Sequence, residues 1–384
     1  MSVTAAKGFT ASGVAAGIKS GGSPDLALVV NTGPRRAAAG VVTSNRVKAA
    51  PVLWTEQVLK GGSVTAVVLN SGGANACTGP AGFQDTHATA EKAAEVLGHS
   101  AAEVAVCSTG LIGVRLPMDK LLPGLDVAAA ELSEHGGEKA AIAIKTTDTV
   151  HKTAVRTSPA GWTVGGMAKG AGMLAPGLAT MLVVLTTDAD ADTAVLDKAL
   201  REATRVTFDR VDSDGCMSTN DTVLLLASGA CGTVPDYDEF AAAVREVCAD
   251  LGRQLIGDAE GASKDISVEV VGAATEDEAV DVARTVARSN LLKCAVHGED
   301  PNWGRVLSAV GTTSATFEPD ALNVAINGVW VCRDGSVGED RDLVDMRFRE
   351  VSITVDLAAG PASAVVWTND LTADYVHENS AYSS

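Results

Sequence analysis

The stretch GGMAKGAGMLAPGLATM at 165–181, followed at once by Leu182-Val183-Val184-Leu185, decides how the rest of the chain is read. A glycine-rich loop carrying Pro176 leads into an apolar run that reads as a buried strand over 180–187. Thr180 takes the first place of that strand, with small Ala179 before it. A hydroxyl there can attack the Ala179 carbonyl, break the chain and leave Thr180 as a new N-terminal residue. Threonine activated by its own α-amine is an established way to make a nucleophile. A β-branched residue that favours strands accounts for Thr180 without any chemistry, and this stretch alone leaves that alternative open.

Scission would be activation. An α-amine titrates at about 7.7–8.0, well below the roughly 10.4 of a lysine, so a sizeable fraction is neutral near physiological pH. General-base help of that kind is worth roughly 10²–10⁴ in rate. Within an intact chain Thr180 has only an amide nitrogen, which cannot serve as a base.

Around this stretch lies a chain of 384 residues, 46% hydrophobic and 20% charged, which points to a folded protein with two domains or one large layered one. The net charge of -18 comes without a Lys/Arg cluster, which argues against nucleic acid or an anionic membrane as partner. Seven scattered cysteines, never in a Cys-x-x-Cys pair, fit reduced thiols in a cytoplasmic protein. No secretory signal pattern is visible at the N-terminus, and no apolar run approaches the roughly 20 residues of a membrane helix.

Strand-like runs recur at 26–31, 64–70, 103–108, 180–187, 222–228, 266–272, 321–327, 350–357 and 362–367. Amphipathic helical stretches fall at 83–97, 118–133, 136–145, 191–206, 236–257 and 276–293. The alternation indicates an α/β or α+β layered fold. A break in character at 158–179 divides the chain into halves, 1–179 and 180–384. The strand at 180–187 is too apolar to be left exposed, so the halves are expected to share one core.

Gly170, Gly172 and Ala175 form a Gly-x-Gly-x-x-Ala pattern that lacks a clean strand before it and is followed by Pro176, so a dinucleotide site is not expected. Asp209, Asp212, Asp214 and Asp221 miss the calcium-loop spacing and read as a polar turn with caps. The six histidines show no zinc spacing, and no metal is expected. Cys-Ser-Thr-Gly-Leu-Ile-Gly at 107–113 ends a strand with a hydroxyl and a glycine N–H, a pair able to hold an oxyanion and equally explained as a turn.

Taken together the motifs resemble the ornithine acetyltransferase family, the glutamate N-acetyltransferases of arginine biosynthesis. The resemblance runs from GFTASGVAAGIK (8–19) through LNSGGANACTG (69–79), STGLIGVRLPMDK (108–120), TTDT (146–149) and the loop at 165–182. It continues through STNDTVLLLASG (218–229) and GEDPNWGRV (298–306) to ENSAYSS (378–384). It implies a self-cleaving enzyme on a layered α/β/β/α sandwich, cut between Ala179 and Thr180 into two chains that assemble two of each. It further implies ping-pong transfer, in which Thr180 takes acetyl from N-acetylornithine and passes it to glutamate.

By the same resemblance, Thr109 and Gly110 would stabilise the oxyanion. Thr146, Lys169, Thr180, Glu260, Asn379 and Ser384 would contact the amino-acid substrate. Lys169 suits a substrate carboxylate, and Glu260 is our candidate partner for the ornithine ammonium. Without the resemblance, Lys169 and Glu260 read as solvated surface charges. An ester on Thr180 needs no cofactor; some family members also use acetyl-CoA, and no residue here decides that. Two departures stand out: Gly73 where Asn is more usual, and a Ser-Ser end where Thr-Thr is commoner. The rival readings are an N-terminal-nucleophile aminopeptidase or amidase of the same fold, and a non-enzymatic paralogue.

Overall fold

A computed structural model describes residues 2–174 and 181–381. It divides into two compact units. The first comprises the described residues up to Asp209 together with Cys216–Leu255; the second comprises Arg210–Gly215 and the described residues from Ile256 onward. Residues 158–174 belong to the first unit.

The first unit runs β1 (Phe9–Val14), β2 (Leu26–Asn31), β3 (Ala37–Val42), α1 (Ala50–Leu59), β4 (Ala66–Ser71), α2 (Gly79–Leu97), β5 (Val104–Thr109) and α3 (Met118–Ala130). It continues with α4 (Gly137–Ala143), β6 (Lys152–Thr157), β7 (Thr163–Lys169), β8 (Leu182–Thr187), α5 (Thr193–Val206), β9 (Thr222–Ala227) and most of α6 (Tyr237–Gly257). Two sheets result, ordered β1-β2-β4-β5 and β3-β9-β8-β7-β6.

Side-chain alternation in β2, β4 and β5 serves two cores. Val29, Leu69 and Cys107 join Met167, Val184 and Leu224 of the second sheet in one apolar cluster. Leu28, Val68 and Val106 pack instead with Ala90 and Ala93 of α2 and Leu121 and Leu125 of α3. The far side of the second sheet is covered by α5, which contacts β3 and β9, and by α6, whose Phe240 meets Trp162 edge-on. Helix, sheet, sheet, helix is thus the layering of this unit, as the resemblance implies. Strands β8 and β9 are buried throughout, which explains why they read as continuous apolar runs without alternation.

Strand β7 went unread because Gly165 and Gly166 interrupt its pattern. Both glycines are required by close packing: a Cβ on Gly166 would stand 2.7 Å from Leu185 Cδ2, and one on Gly165 would stand 2.4 Å from the Ser2 carbonyl oxygen. This corrects the expectation that no strand precedes Gly170. Strands β7 and β8 pair antiparallel with Lys169 opposite Leu182, so the two ends of the glycine-rich loop are neighbours. Residues from both sides of the 179/180 bond share one sheet and one core. Ala179 and Thr180 lie outside the described residues.

The second unit contains β10 (Asp265–Ala273), α7 (Glu276–Ala287), α8 (Asn290–His297), α9 (Trp303–Val310), β11 (Asn323–Ile326), β12 (Val329–Arg333) and β13 (Ser336–Val337). It ends with β14 (Glu350–Asp356), β15 (Ala362–Asn369) and α10 (Ala373–Ala381). Its sheet is ordered β13-β12-β11-β14-β10-β15, and α7, α8 and α9 bury Val282, Val286, Val296 and Val306 in its core. The helix expected over 276–293 is broken, because the Ser289 hydroxyl caps a new helix by accepting the Leu292 N–H. Among the described residues no helix is long and apolar enough to cross a membrane.

Leu69 is fully buried between the two sheets. Leu69→Ala is expected to cost about 2–5 kcal/mol in urea unfolding followed by circular dichroism; a change below about 1 kcal/mol would show that the sheet-sheet core is not tightly packed there.

Candidate active site

Strand β5 delivers Thr109 at its last position, buried between backbone neighbours. The N–H groups of Gly72 and Gly73 both donate to the Thr109 carbonyl at 2.9 Å. Gly110 follows at φ +131°, where a Cβ would come within 2.5 Å of the Gly73 nitrogen. No other side chain fits that approach. Next to this turn, Asn220 donates to the carbonyls of Ala74 (2.6 Å) and Ser108 (2.8 Å), tying the start of β9 to the end of β5.

Lys169, the last residue of β7, is only 1% exposed, so it is not the solvated charge its residue type alone suggests. Its Nζ donates to Thr109 Oγ1 at 3.1 Å. The Thr109 oxygen accepts that bond, and its own O–H can then donate to a neighbouring anion. Thr146 lies in the loop after α4, its N–H donating to Asp148 Oδ2 at 3.0 Å. Asp148 Oδ1 also accepts from the Gly170 N–H at 2.7 Å and from Lys152 Nζ at 2.6 Å. Burial opposes the charge on Asp148, yet Lys169, Lys152 and the Gly170 N–H outweigh it and hold the carboxyl down to about 2. Thr109, Gly110, Thr146 and Lys169 are therefore brought together through Asp148 and the two strand ends.

Asp221 corrects the sequence reading of a polar turn. It is fully buried, and its Oδ1 accepts the Met181 N–H at 3.2 Å, one residue past Thr180. Among the described residues its Oδ2 has no hydrogen-bond partner. Burial drives its carboxyl well above the ordinary range, against the opposing pull of the Met181 N–H, Ser218, Lys169 and Thr43. Asp212 does behave as a cap, accepting from Gly215 N–H and from Arg288.

In the second unit, Glu260 and Asn379 meet: Asn379 Nδ2 donates to Glu260 Oε2 at 3.0 Å. The Glu260 loop is fixed by Thr372 Oγ1, which donates to the Gly261 carbonyl. Burial, then Glu260, Asp374 and Asp258, push the Glu378 carboxyl up, so this patch is strongly acidic. Thr180 and Ser384 lie outside the described residues. Asp148, Lys152 and Asp221 were missed by sequence reasoning. The signal for the first two was the Asp inside the TTDT motif and a Lys four residues after it.

A buried ammonium and a hydroxyl beside a glycine turn are groups of the kind that can hold a developing oxyanion, as acyl transfer requires. Comparison with known proteins gives the same class. A model of the ArgJ family matches residues 10–384. The arginine biosynthesis bifunctional protein ArgJ of Streptomyces coelicolor is 82% identical over the full length of both chains. Its namesake in Thermobifida fusca is 65% identical, again over both full lengths. A crystal structure of ornithine acetyltransferase complexed with ornithine, from Mycobacterium tuberculosis, is 61% identical; it covers 47% of this chain and 96% of its own, with a TM-score of 0.46. The chain belongs to the ArgJ family.

Because the fold raises the carboxyl of Asp221, the native state binds its proton more tightly than the unfolded chain does. The resulting stabilisation is complete below the ordinary carboxyl range, near pH 4, and is lost as pH rises toward the native value. Asp221→Asn should therefore flatten the fall in melting temperature between pH 4 and pH 7, measured by scanning calorimetry. A variant with the same pH slope as the parent would show that Asp221 is charged in the native protein.

Proposed function

We propose that the chain is a glutamate N-acetyltransferase: it moves acetyl from N2-acetyl-L-ornithine to L-glutamate through an ester on Thr180, releasing ornithine. The observation that supports this reading most directly is the buried Lys169–Thr109 contact beside Gly110. Scission between Ala179 and Thr180 frees the α-amine that deprotonates the Thr180 hydroxyl. The hydroxyl oxygen then attacks the acetyl carbonyl, and the oxyanion that forms is met by Thr109 O–H and the Gly110 N–H. Collapse expels the ornithine nitrogen, which takes a proton from the ammonium formed at Thr180. Glutamate enters in ornithine's place and its amine reverses the sequence.

The substrate's fixed charges select the remaining contacts. Lys169, with Thr146 near it, suits a carboxylate, and the acidic patch of Glu260 suits the ornithine side-chain ammonium, with Asn379 and Ser384 as neutral partners. The two products of scission assemble as two α and two β chains in the cytoplasm. The name of the relatives, a bifunctional protein, motivates assaying acetyl-CoA as a second acetyl donor. If water rather than glutamate discharges the ester, the enzyme is an amidase of the same design.

Glutamate should accelerate release of ornithine from N-acetylornithine; a rate indifferent to glutamate would establish the hydrolytic alternative. Thr180→Ala should run as one band on a denaturing gel and transfer no acetyl, and two bands from this variant would refute the scission. Thr109→Ala should lower kcat by about 10²–10³ with a smaller change in KM; an unchanged kcat would remove Thr109 from the mechanism.

A further inference from the structure

The GFTASGVAAGIK motif at 8–19 ends in Lys19, a residue that the chemistry above leaves unused. Lys19 stands half-buried in the loop between β1 and β2. Fully buried Asp25 gives that loop its shape, accepting the Ala16 N–H on Oδ1 at 2.7 Å and the Lys19 N–H on Oδ2 at 2.9 Å. The loop is seated on the turn that holds Thr109. Gly72, whose N–H donates to the Thr109 carbonyl, lies against it at φ +111°, where a Cβ would stand only 3.1 Å from Ile18 Cγ2 and from Lys19 Cγ. From this seat the Lys19 ammonium reaches the loop after α4, donating to the Lys145 carbonyl at 2.6 Å and, at 3.3 Å, to the Pro24 carbonyl.

The Lys145 carbonyl belongs to the same peptide unit as the Thr146 N–H, which donates to Asp148 Oδ2 at 3.0 Å. That unit is held from both sides, its oxygen by Lys19 and its N–H by Asp148. A peptide unit is planar and stiff, so pinning both polar atoms leaves the backbone of Thr146 little freedom. We propose that Lys19 is a positioning residue: by holding the 145/146 peptide against the Gly72–Thr109 turn, it sets where Thr146 meets the amino-acid substrate. The charged groups that face its ammonium are Asp25, Asp148 and Lys145. Both acids already accept N–H groups of the two loops, and the ammonium goes to the carbonyls. Lys145 turns the other way and closes its own loop by donating to the Thr149 carbonyl at 3.1 Å.

The inference deepens the acetyl-transfer reading and rests on it for the contact between Thr146 and substrate. It is tested on the full-length, processed protein with N-acetylornithine as donor and glutamate as acceptor. Lys19→Met should raise KM for N-acetylornithine about tenfold, the effect of losing a hydrogen bond from a charged donor, with a much smaller change in kcat. Thr146→Ala should do the same, and the double variant K19M/T146A should be no worse than T146A alone, because Lys19 acts through Thr146. Losses that add in the double variant overturn the proposal, since Lys19 then acts on the substrate itself. A fall in kcat with KM unchanged, the mark of a smaller folded fraction, overturns it too.

Hydrogen exchange followed by mass spectrometry gives a readout that needs no substrate. In K19M the amides of 146–149 should exchange faster while those of β4 and β5 keep the protection of the parent; unchanged exchange at 146–149 overturns the proposal. The same measurement separates the two failures. If the parent protein transfers no acetyl, the acetyl-transfer reading falls, and exchange at 146–149 alone decides whether Lys19 holds that loop. Should K19M fail to fold, Lys19→Gln, which keeps a polar end at this half-exposed position, replaces it and is read by the same criteria.

Discussion

The hydrogen bond from Lys169 to Thr109 joins the end of one sheet to the end of the other, and most of the first unit is arranged so that it can form. Lys169 ends β7 and Thr109 ends β5. The Lys169 side chain reaches Thr109 Oγ1 at 3.1 Å across the packed layer between the sheets. Small residues make it thin: Ala11, Ala27, Ala38 and Ala105 belong to that cluster beside a few larger aliphatics. Aromatic residues are only 4% of the chain, and the glycines at 110, 165 and 166 stand where main chain or neighbouring side chains leave no room for a Cβ. Composition that looks bland in the sequence is what lets the two sheets approach closely at the site.

Within that close-packed region the two acids have opposite fates for one physical reason. Both are shielded from water, which penalises the charged form. Asp148 is met by Lys152 and by two backbone N–H groups, so its charge is more than compensated. Asp221 receives the Met181 N–H on Oδ1 and, among the described residues, no hydrogen-bond partner on Oδ2, so burial prevails. Acids held on opposite sides of neutrality in one site are a recurring feature of proton-transfer enzymes. Here the division follows from which of the two a lysine was built to reach.

Much of the fold was legible because its strands are apolar and its helices amphipathic. The runs at 26–31, 222–228 and 350–357 recur as β2, β9 and β14 within a residue or two. What was not legible had its pattern erased by local demands. Gly165 and Gly166 hid β7, since packing against Leu185 and Leu251 removed the side chains that mark a strand. A helical period that runs through Ser289 hid the break between α7 and α8, which a single hydroxyl cap creates. Thr109 and Gly110 were visible as an oxyanion-capable pair that a turn explains equally well, whereas Thr146 and Lys169 were singled out through family motifs, because each alone looks like a turn or a surface charge. Asp148 and Lys152 escaped even so. Their role lies in partners from β6, β7 and the loop after α4, and no spacing along one segment reports such a convergence.

The placement of the glycine-rich loop explains how a chain break can be chemically decisive and structurally mild. Lys169 and Leu182, on either side of the loop, are register partners in adjacent strands. Strand β8 is held on its other edge by β9 through six consecutive register pairs, and its residues sit in the same apolar cluster as β4 and β5. None of these interactions involves the atoms of the 179/180 peptide bond itself. The proposed scission would remove one covalent link between segments already held by two strand ladders and a shared core. What it would change is a single nitrogen, from an amide that cannot accept a proton to an amine that titrates near neutrality. If the proposed scission occurs, both ends of the loop therefore remain held by strand pairing, and the chemical gain comes with the flanking strands still in place.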